Sequence, residues 1–339
     1  MKIVFLNIYQ NTVNRGAETF VSELSKRLQN NHDVGVLLGQ KPLPKRWPVV
    51  WRFFIDPQSL LIAGFTLRNL SKIWKDKPDV VVPLNGGWQP AFIRIITWLY
   101  GGKMVIAGQS GMGWDDRNNL WSFPNYFITL SSKALSWAKR SNPFVKSKYI
   151  PNGVDLKNFK PVGSKYITDL KGPIVLCVGA LTPSKRIDLT IKAVAKLKNT
   201  SLLVVGDGEM KSELKDLGRK LLGERFQLIK TSFEKMPEIY RAADIFTLVP
   251  EKSEAFGIVY VEAMASNLPV VAVDDAQRKE IVNNAGMFVD PTNIEKYSET
   301  LKMSLKKKWG DAPRKQAELF DWDKITKKYE NTFISLIKK

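Results

Sequence analysis

The chain has 339 residues, enough for about two domains at roughly 150 residues each, and its 44% hydrophobic and 25% charged content is that of a globular protein. Fifty-two Lys and Arg stand against 33 Asp and Glu; residues 1–164 carry 22 and 9 of them (net +13) and residues 165–339 the other 30 and 24 (net +6), so an anionic partner is expected on the N-terminal half. Cys177 is the only cysteine and His32 the only histidine, which excludes an internal disulfide and a Cys/His zinc cluster and favours a reducing, cytoplasmic compartment.

The opening MKIVFLNIYQN suits a first strand better than a signal peptide. No run reaches the roughly 18 apolar residues of a membrane span, and Arg94 interrupts the nearest candidate, AFIRIITWLY. Strand-like runs then alternate with helix-like ones. The strands expected in the first half are Ile3–Leu6, Val34–Leu38, Val80–Pro83, Met104–Ala107, Phe127–Leu130 and Tyr149–Ile150. Those in the second half are Ile174–Val178, Ser201–Val205, Phe226–Ile229, Ile245–Leu248, Val270–Val273 and Met287–Val289. Helical spacing covers Thr19–Leu28, Asp188–Lys198, Lys211–Leu222, Met236–Ala242, Ile258–Ala265 and an amphipathic stretch at 322–337. This alternation predicts α/β architecture with parallel sheets, and runs such as IVLCV and SLLVV predict strands buried on both faces. A segment rich in Pro, Gly, Asn and charge at 151–165 marks the domain boundary. The expected division is 1–160, 161–320 and a C-terminal helix over 321–339 that packs back toward the N-terminal domain.

Four segments carry candidate chemistry. In Glu254-Ala-Phe-Gly-Ile-Val-Tyr-Val-Glu262, a strand and a loop lead into a helix whose first amides fall at Phe256, Gly257 and Ile258. Free N–H groups and the helix dipole there favour an anion, and glycine lets a ligand approach the backbone. Glu254 is placed to accept from sugar hydroxyls and Glu262, further along the helix, to take a ribose diol. Spacing alone equally allows an N-terminal acid and a solvated helix acid. In the second segment, residues 178–194, Gly179 turns the chain after a strand, and Lys185 and Arg186 precede a helix, a point charge and a fork able to pair with a diphosphate or simply to be solvated. The third, Asn14-Arg-Gly-Ala-Glu18, follows the first strand; Gly16 can offer its N–H, and Glu18 falls in the first helical turn, where an acid is favoured in any case. The fourth is the strand end at Val105–Gly111, with Gln109.

The stretch EAFGIVYVEAMASNLPVVAVDDAQRKEIVNNAGMFVDP resembles the C-terminal signature of family 4 glycosyltransferases of GT-B fold, which carry two glutamates with seven residues between them, a small-residue helix and a Pro-led strand. The match extends to Ala263, Met264, Ala265, Pro269, Val270, Gly286 and Pro291. The likeness covers nearly the whole chain, closely over 149–291 and loosely over 30–100. It implies two doubly wound Rossmann-like domains facing a central cleft. It also implies retaining transfer of a sugar from a nucleotide-diphosphate sugar to a saccharide or lipid-linked acceptor in cell-surface glycan or glycolipid synthesis. Glu254, Lys185 and Arg186 are then expected to be catalytic. Gly16, Gln109, Gly179, Glu254, Phe256, Gly257, Ile258 and Glu262 are expected to bind the donor.

The chain departs from the family pattern at four places. Arg15 replaces the first glycine of the family's N-terminal GG-x-E loop, which Asn14–Glu18 resembles. Ala180 replaces an arginine that usually follows the glycine, and Arg186 stands where glycine is common. Gln109 stands where a histidine often lies near the transferred sugar. The mechanism the resemblance implies is a front-face displacement in which the leaving phosphate accepts the acceptor's proton, so no histidine base is required. His32 is expected on a surface loop. No cofactor or metal is expected: the only Asp-x-Asp, Asp321–Asp323, reads as a cap of the terminal helix. Helix N-termini and cations take the metal's task in GT-B enzymes.

KRWPVVWRFF at 45–54, followed by Lys72, Lys75 and Lys77, mixes aromatics with cations as an anionic membrane surface requires. Single-stranded nucleic acid would suit the same mixture, but no RNA-binding signature accompanies it, and the membrane is the expected partner rather than nucleic acid. The alternative functions are a non-catalytic nucleotide-sugar-binding protein of GT-B shape and a basic nucleic-acid-binding protein. A nicotinamide oxidoreductase would need GxGxxG after the first strand, which is absent.

Overall fold

A computed structural model describes residues 1–10, 16–39, 57–251 and 254–338. Asn14 and Arg15 and the segment 45–54 lie outside the described residues. The chain divides into two compact units, Met1–Asn152 with Trp322–Lys339 and Gly153–Asp321.

The first unit runs β1 (Lys2–Asn7), α1 (Gly16–Leu28), β2 (Asp33–Leu38), α2 (Pro57–Asp76), β3 (Val80–Pro83), α3 (Gln89–Tyr100), β4 (Lys103–Ala107), α4 (Trp114–Trp121), β5 (Tyr126–Thr129), α5 (Ser132–Ser141) and β6 (Ser147–Tyr149). The described strands form one parallel sheet in the order β2-β1-β3-β4-β5-β6. Alternate residues of each strand point to opposite faces, so the sheet builds two cores. Ile3, Phe5, Val80, Val82 and Val105 pack with Phe20, Leu24 and Leu28 of α1. Val4, Leu6, Val81, Met104 and Ile106 pack with Phe65 of α2 and Ile93 and Ile96 of α3.

The second unit runs β7 (Ile174–Val178), α6 (Ile187–Ala195), β8 (Ser201–Val205), α7 (Lys211–Leu222), β9 (Phe226–Ile229), α8 (Met236–Ala242), β10 (Ile245–Leu248), α9 (Ile258–Ala265), β11 (Val270–Val273), α10 (Ala276–Val282), β12 (Gly286–Val289), α11 (Ile294–Lys306) and α12 (Ala312–Ala317). Its described strands are again parallel, in the order β12-β11-β10-β7-β8-β9. Every residue of β7, β8 and β10 is buried, as strands covered on both faces require. Within this core Tyr297 of α11 bridges Thr190 of α6 (3.0 Å) and Thr247 of β10 (2.7 Å), so its buried hydroxyl is satisfied. Cys177 lies in β7, fully buried, and burial pushes its thiol up to about 12.

The last helix, α13 (Trp322–Ile337), belongs to the first unit. Its Trp322, Ile325, Tyr329 and Phe333 recur at helical spacing and enter the core on the α1 side, with Phe20 6.2 Å from Trp322 and 5.5 Å from Tyr329 between ring centroids. This packing corrects the expectation for His32. It lies in the loop before β2 as expected, but partly buried: its side chain is 10% exposed and its Nε2 lies 2.8 Å from Glu330 Oε1 of α13. Asp323, in the first turn of α13, accepts from Arg27 Nε of α1 at 2.8 Å. Trp322 is 1% exposed in the middle of this core. Trp322→Ala is therefore expected to cost the first unit about 3–5 kcal/mol of stability, measured as a lower denaturant midpoint.

Candidate active site

Ligands of open parallel sheets gather outside the carboxyl ends of the strands where the strand order reverses. In the second unit that point lies between β7, whose successors run one way, and β10, whose successors run the other. The turn after β7 begins with Gly179, whose amide donates to Val205 O at 3.0 Å. The neighbouring turn crosses it so closely that a Cβ on Gly206 would stand 1.9 Å from Gly179 O, so only glycine fits there. A short 3₁₀ turn, Pro183–Lys185, then leads through Arg186, in the left-handed conformation at φ 50 and ψ 40, into α6.

The loop after β10 comes back against this turn. Glu251 N donates to Ser184 O at 2.8 Å, and Lys185 Nζ contacts Glu254 Oε2 as an ion pair with both side chains mostly covered. The two segments singled out by sequence, separated by 69 positions, thus meet through those two residues. Arg186 behaves differently from the expectation. Its Nε donates to Val249 O at 2.8 Å and its Nη2 to Pro250 O at 2.6 Å, so the fork expected for a diphosphate is engaged with backbone carbonyls. Lys252 and Ser253 lie outside the described residues.

The loop enters α9 through Gly257, at φ 81, with the Tyr260 ring so near that a Cβ would stand 2.6 Å from it. No side chain caps the start of α9, where Tyr260 N donates to Gly257 O at 3.0 Å and the amides before it form the anion-favouring end of the helix. Phe256 is buried with its ring 5.9 Å from Phe320, and Ile258 is buried as well. Glu262 sits one turn into α9, buried, with Oε2 accepting from Tyr240 Oη at 2.7 Å. Burial, joined by the Glu262 charge, drives the Tyr240 hydroxyl well above its ordinary pKa and keeps it a donor.

Two residues that the sequence did not single out support the loop from the other side. Gln277 of α10 donates to Ala255 O, and the buried Arg278 donates through Nη2 to Glu254 O at 3.3 Å while pairing with the helix cap Asp275 at 3.3 Å. Position in the DDAQRKEIV run gave no cue beyond a polar helix start.

In the first unit the strand order reverses between β1 and β3. Buried amides fill that end: Asn85 Nδ2 donates to Asn7 Oδ1 (3.2 Å), and Asn7 Nδ2 donates to Glu18 Oε1 (3.3 Å), placing Glu18 inside rather than at a solvated helix start. Gly16 opens α1 and is exposed. Gln109, after β4, exchanges two amide hydrogen bonds with Asn152, at 3.3 and 3.0 Å.

Residues 164–318 match the family model described as glycosyl transferases group 1. That match spans 155 of the 339 residues and lies within the second unit. A GDP-mannose-dependent monoacylated alpha-(1-6)-phosphatidylinositol monomannoside mannosyltransferase of Corynebacterium glutamicum is 32% identical over 174 residues, 45% of each chain. A GDP-mannose-dependent alpha-(1-6)-phosphatidylinositol monomannoside mannosyltransferase of Mycolicibacterium smegmatis is 28% identical over 279 residues, 72% of each. The chain spans about half the length of most of the curated relatives it matches. Among solved structures, Anabaena HepE in complex with UDP and glucose superposes with a TM-score of 0.78 at 18% identity, over 99% of this chain and 100% of that one. The fold is GT-B, two parallel α/β units. Within the family-matched span lie Lys185, Arg186, Glu254, Glu262, Gln277 and Arg278.

Beside the turn after β4 lies a further residue the sequence did not flag. Asp116 of α4 is buried, and its Oδ2 would stand 2.8 Å from a Cβ on Gly108. Burial pushes its carboxyl up to about 7, against the opposing pull of hydrogen bonds from Asn119 and the Gly111 backbone. The folded protein therefore holds this proton between the ordinary 3.8 and about 7 where the unfolded chain has lost it, so stability falls as pH rises through that window. Asp116→Asn is expected to flatten that fall, measured by denaturant unfolding at a series of pH values.

Proposed function

We propose that this chain is a retaining glycosyltransferase that moves a hexosyl group from a nucleoside diphosphate sugar to a hydroxyl of a saccharide or lipid-linked acceptor. The observation that carries the reading is the meeting of Lys185 with Glu254 at the switch point of the second sheet, ahead of the α9 N-terminus. A diphosphate needs cations and free amides, and Lys185 with the Gly257 and Ile258 amides supplies both. A transferring sugar needs acceptors for its hydroxyls, which Glu254 supplies, and we assign the ribose diol to Glu262.

In this reading the bond from the anomeric carbon to the diphosphate oxygen breaks as the acceptor oxygen bonds to the same face of that carbon. The acceptor's proton passes to the leaving phosphate oxygen. Negative charge grows on the diphosphate, where a preorganised cation and amides act with most effect, and no metal is assigned a part. A non-catalytic binder of the same donor would share the binding groups. It is set apart by an absence of transfer and of donor hydrolysis.

Exposed apolar side chains support a membrane role. On α2, Leu60, Leu67 and Trp74 recur every seven residues and are exposed, with Arg68, Lys72 and Lys75 among them. On α3, which packs beside α2, Ile95, Trp98 and Leu99 are exposed, as is Trp88 just before its first turn. Trp beside Lys and Arg fits the interface of an anionic bilayer, and the relatives' names include phosphatidylinositol mannosides. No helix among the described residues is long and apolar enough to cross a membrane. We accordingly assign this surface to peripheral contact with an anionic leaflet on the cytoplasmic side, in glycolipid or cell-surface glycan synthesis.

A thermal-shift screen with UDP, GDP and ADP and their sugars is expected to raise the melting temperature for one nucleotide series, because a ligand of the folded state alone stabilises it. With that donor, Glu254→Ala should lower turnover by about two to three orders of magnitude while the fold remains intact; a near-native rate would remove Glu254 from the mechanism. Vesicles containing anionic lipid should bind the protein at low salt and release it at high salt. A Trp88→Ala, Trp98→Ala variant should bind more weakly, and no binding of the native chain at low salt would dismiss the membrane assignment.

A further inference from the structure

Arg186 is doubly unusual. It is a non-glycine residue in the left-handed region, a conformation that glycine takes freely and that other residues hold only when their surroundings require it. Its guanidinium is also spent on two successive carbonyls, Val249 O at 2.8 Å and Pro250 O at 2.6 Å, the first residues after β10. A planar fork with two bonds fixes both the distance and the orientation of what it holds. The neighbouring bond from Glu251 N to Ser184 O (2.8 Å) continues the same seam. Immediately beside it lies the Lys185–Glu254 pair. On the far side of the loop, Gln277 and Arg278 hold the carbonyls of Ala255 and Glu254. The loop that presents Glu254 is therefore gripped at both ends by side chains reaching its carbonyl oxygens.

We infer that Arg186 is a positioning residue: it locks the loop after β10 onto the turn after β7, so that Lys185 and Glu254 meet the donor as one preset pair. The inference rests on the donor-site reading above. It assigns the guanidinium to the backbone, not to the diphosphate, and the left-handed conformation at Arg186 is what aims the side chain across the seam.

Two substitutions test it. Arg186→Gly accepts the left-handed conformation without strain and removes the fork, so folding is spared while the grip is lost. Arg186→Lys keeps the charge but offers a single point donor in place of the fork. Both variants are expected to lose about 10- to 100-fold in kcat, with a smaller change in donor KM, as small misplacements of a catalytic group do. In the ligand-free protein, amide hydrogen exchange at Glu251 and Glu254 should quicken in both, while the melting temperature of Arg186→Gly stays within a few degrees of native. Native kcat in Arg186→Lys with a loss in Arg186→Gly would show that the charge acts on the donor, and would overturn the inference. Unchanged exchange in Arg186→Gly, or native kcat in both variants, would also overturn it. Exchange that quickens in a protein whose native form turns over no donor would leave the grip standing and reject the enzymatic reading instead.

Discussion

A parallel strand covered on both faces can end only one way, with its carboxyl end opening into a loop that must travel back over a helix. Because all the described strands of the second unit share one direction, the turns after β7, β8 and β10 leave the sheet on the same edge. The reversal of strand order parts the crossing helices between β7 and β10, and the turns on either side of that gap are left to touch each other. The Lys185–Glu254 pair, the Gly179–Gly206 approach and the grip of Arg186 all follow from that one directional constraint. A sheet of mixed direction would scatter the same residues to opposite edges.

The strands were legible in the sequence for the same reason. Burial on both faces writes IVLCV, SLLVV and VVVP as uninterrupted apolar runs, and those runs coincide with β7, β8 and β3. Helices were legible where one face is apolar and the other polar, as in Lys211–Leu222. Gln89–Tyr100 reads only as a candidate membrane span, because its largely apolar run puts Ile93 and Ile96 in the core and Ile95, Trp98 and Leu99 outward. The role of Arg186 could not be read at all. Whether a guanidinium faces a ligand or a carbonyl depends on a backbone 63 positions away. His32 misled in the same manner, since the helix that covers it arrives 298 residues later.

The two units differ in how they treat polar groups at their switch points. In the first, Asn85, Asn7 and Glu18 are turned inward and hydrogen-bonded in series, a chain of amides and an acid within a strongly basic unit. In the second, charged side chains converge on an edge with a free helix N-terminus beside them. Most of the excess positive charge of the chain belongs to the half that exposes Trp88 and Trp98.

Cys177 has a practical bearing. It is the only thiol in the sequence, sits fully buried in β7, and is held protonated far above neutral pH, so it reacts slowly with reagents that need a thiolate. The native chain is therefore already a silent background for single-cysteine spectroscopy. A cysteine introduced at an exposed position on either unit can carry a fluorophore or spin label without first engineering away a competing site, and a label on each unit would report the distance between them in solution.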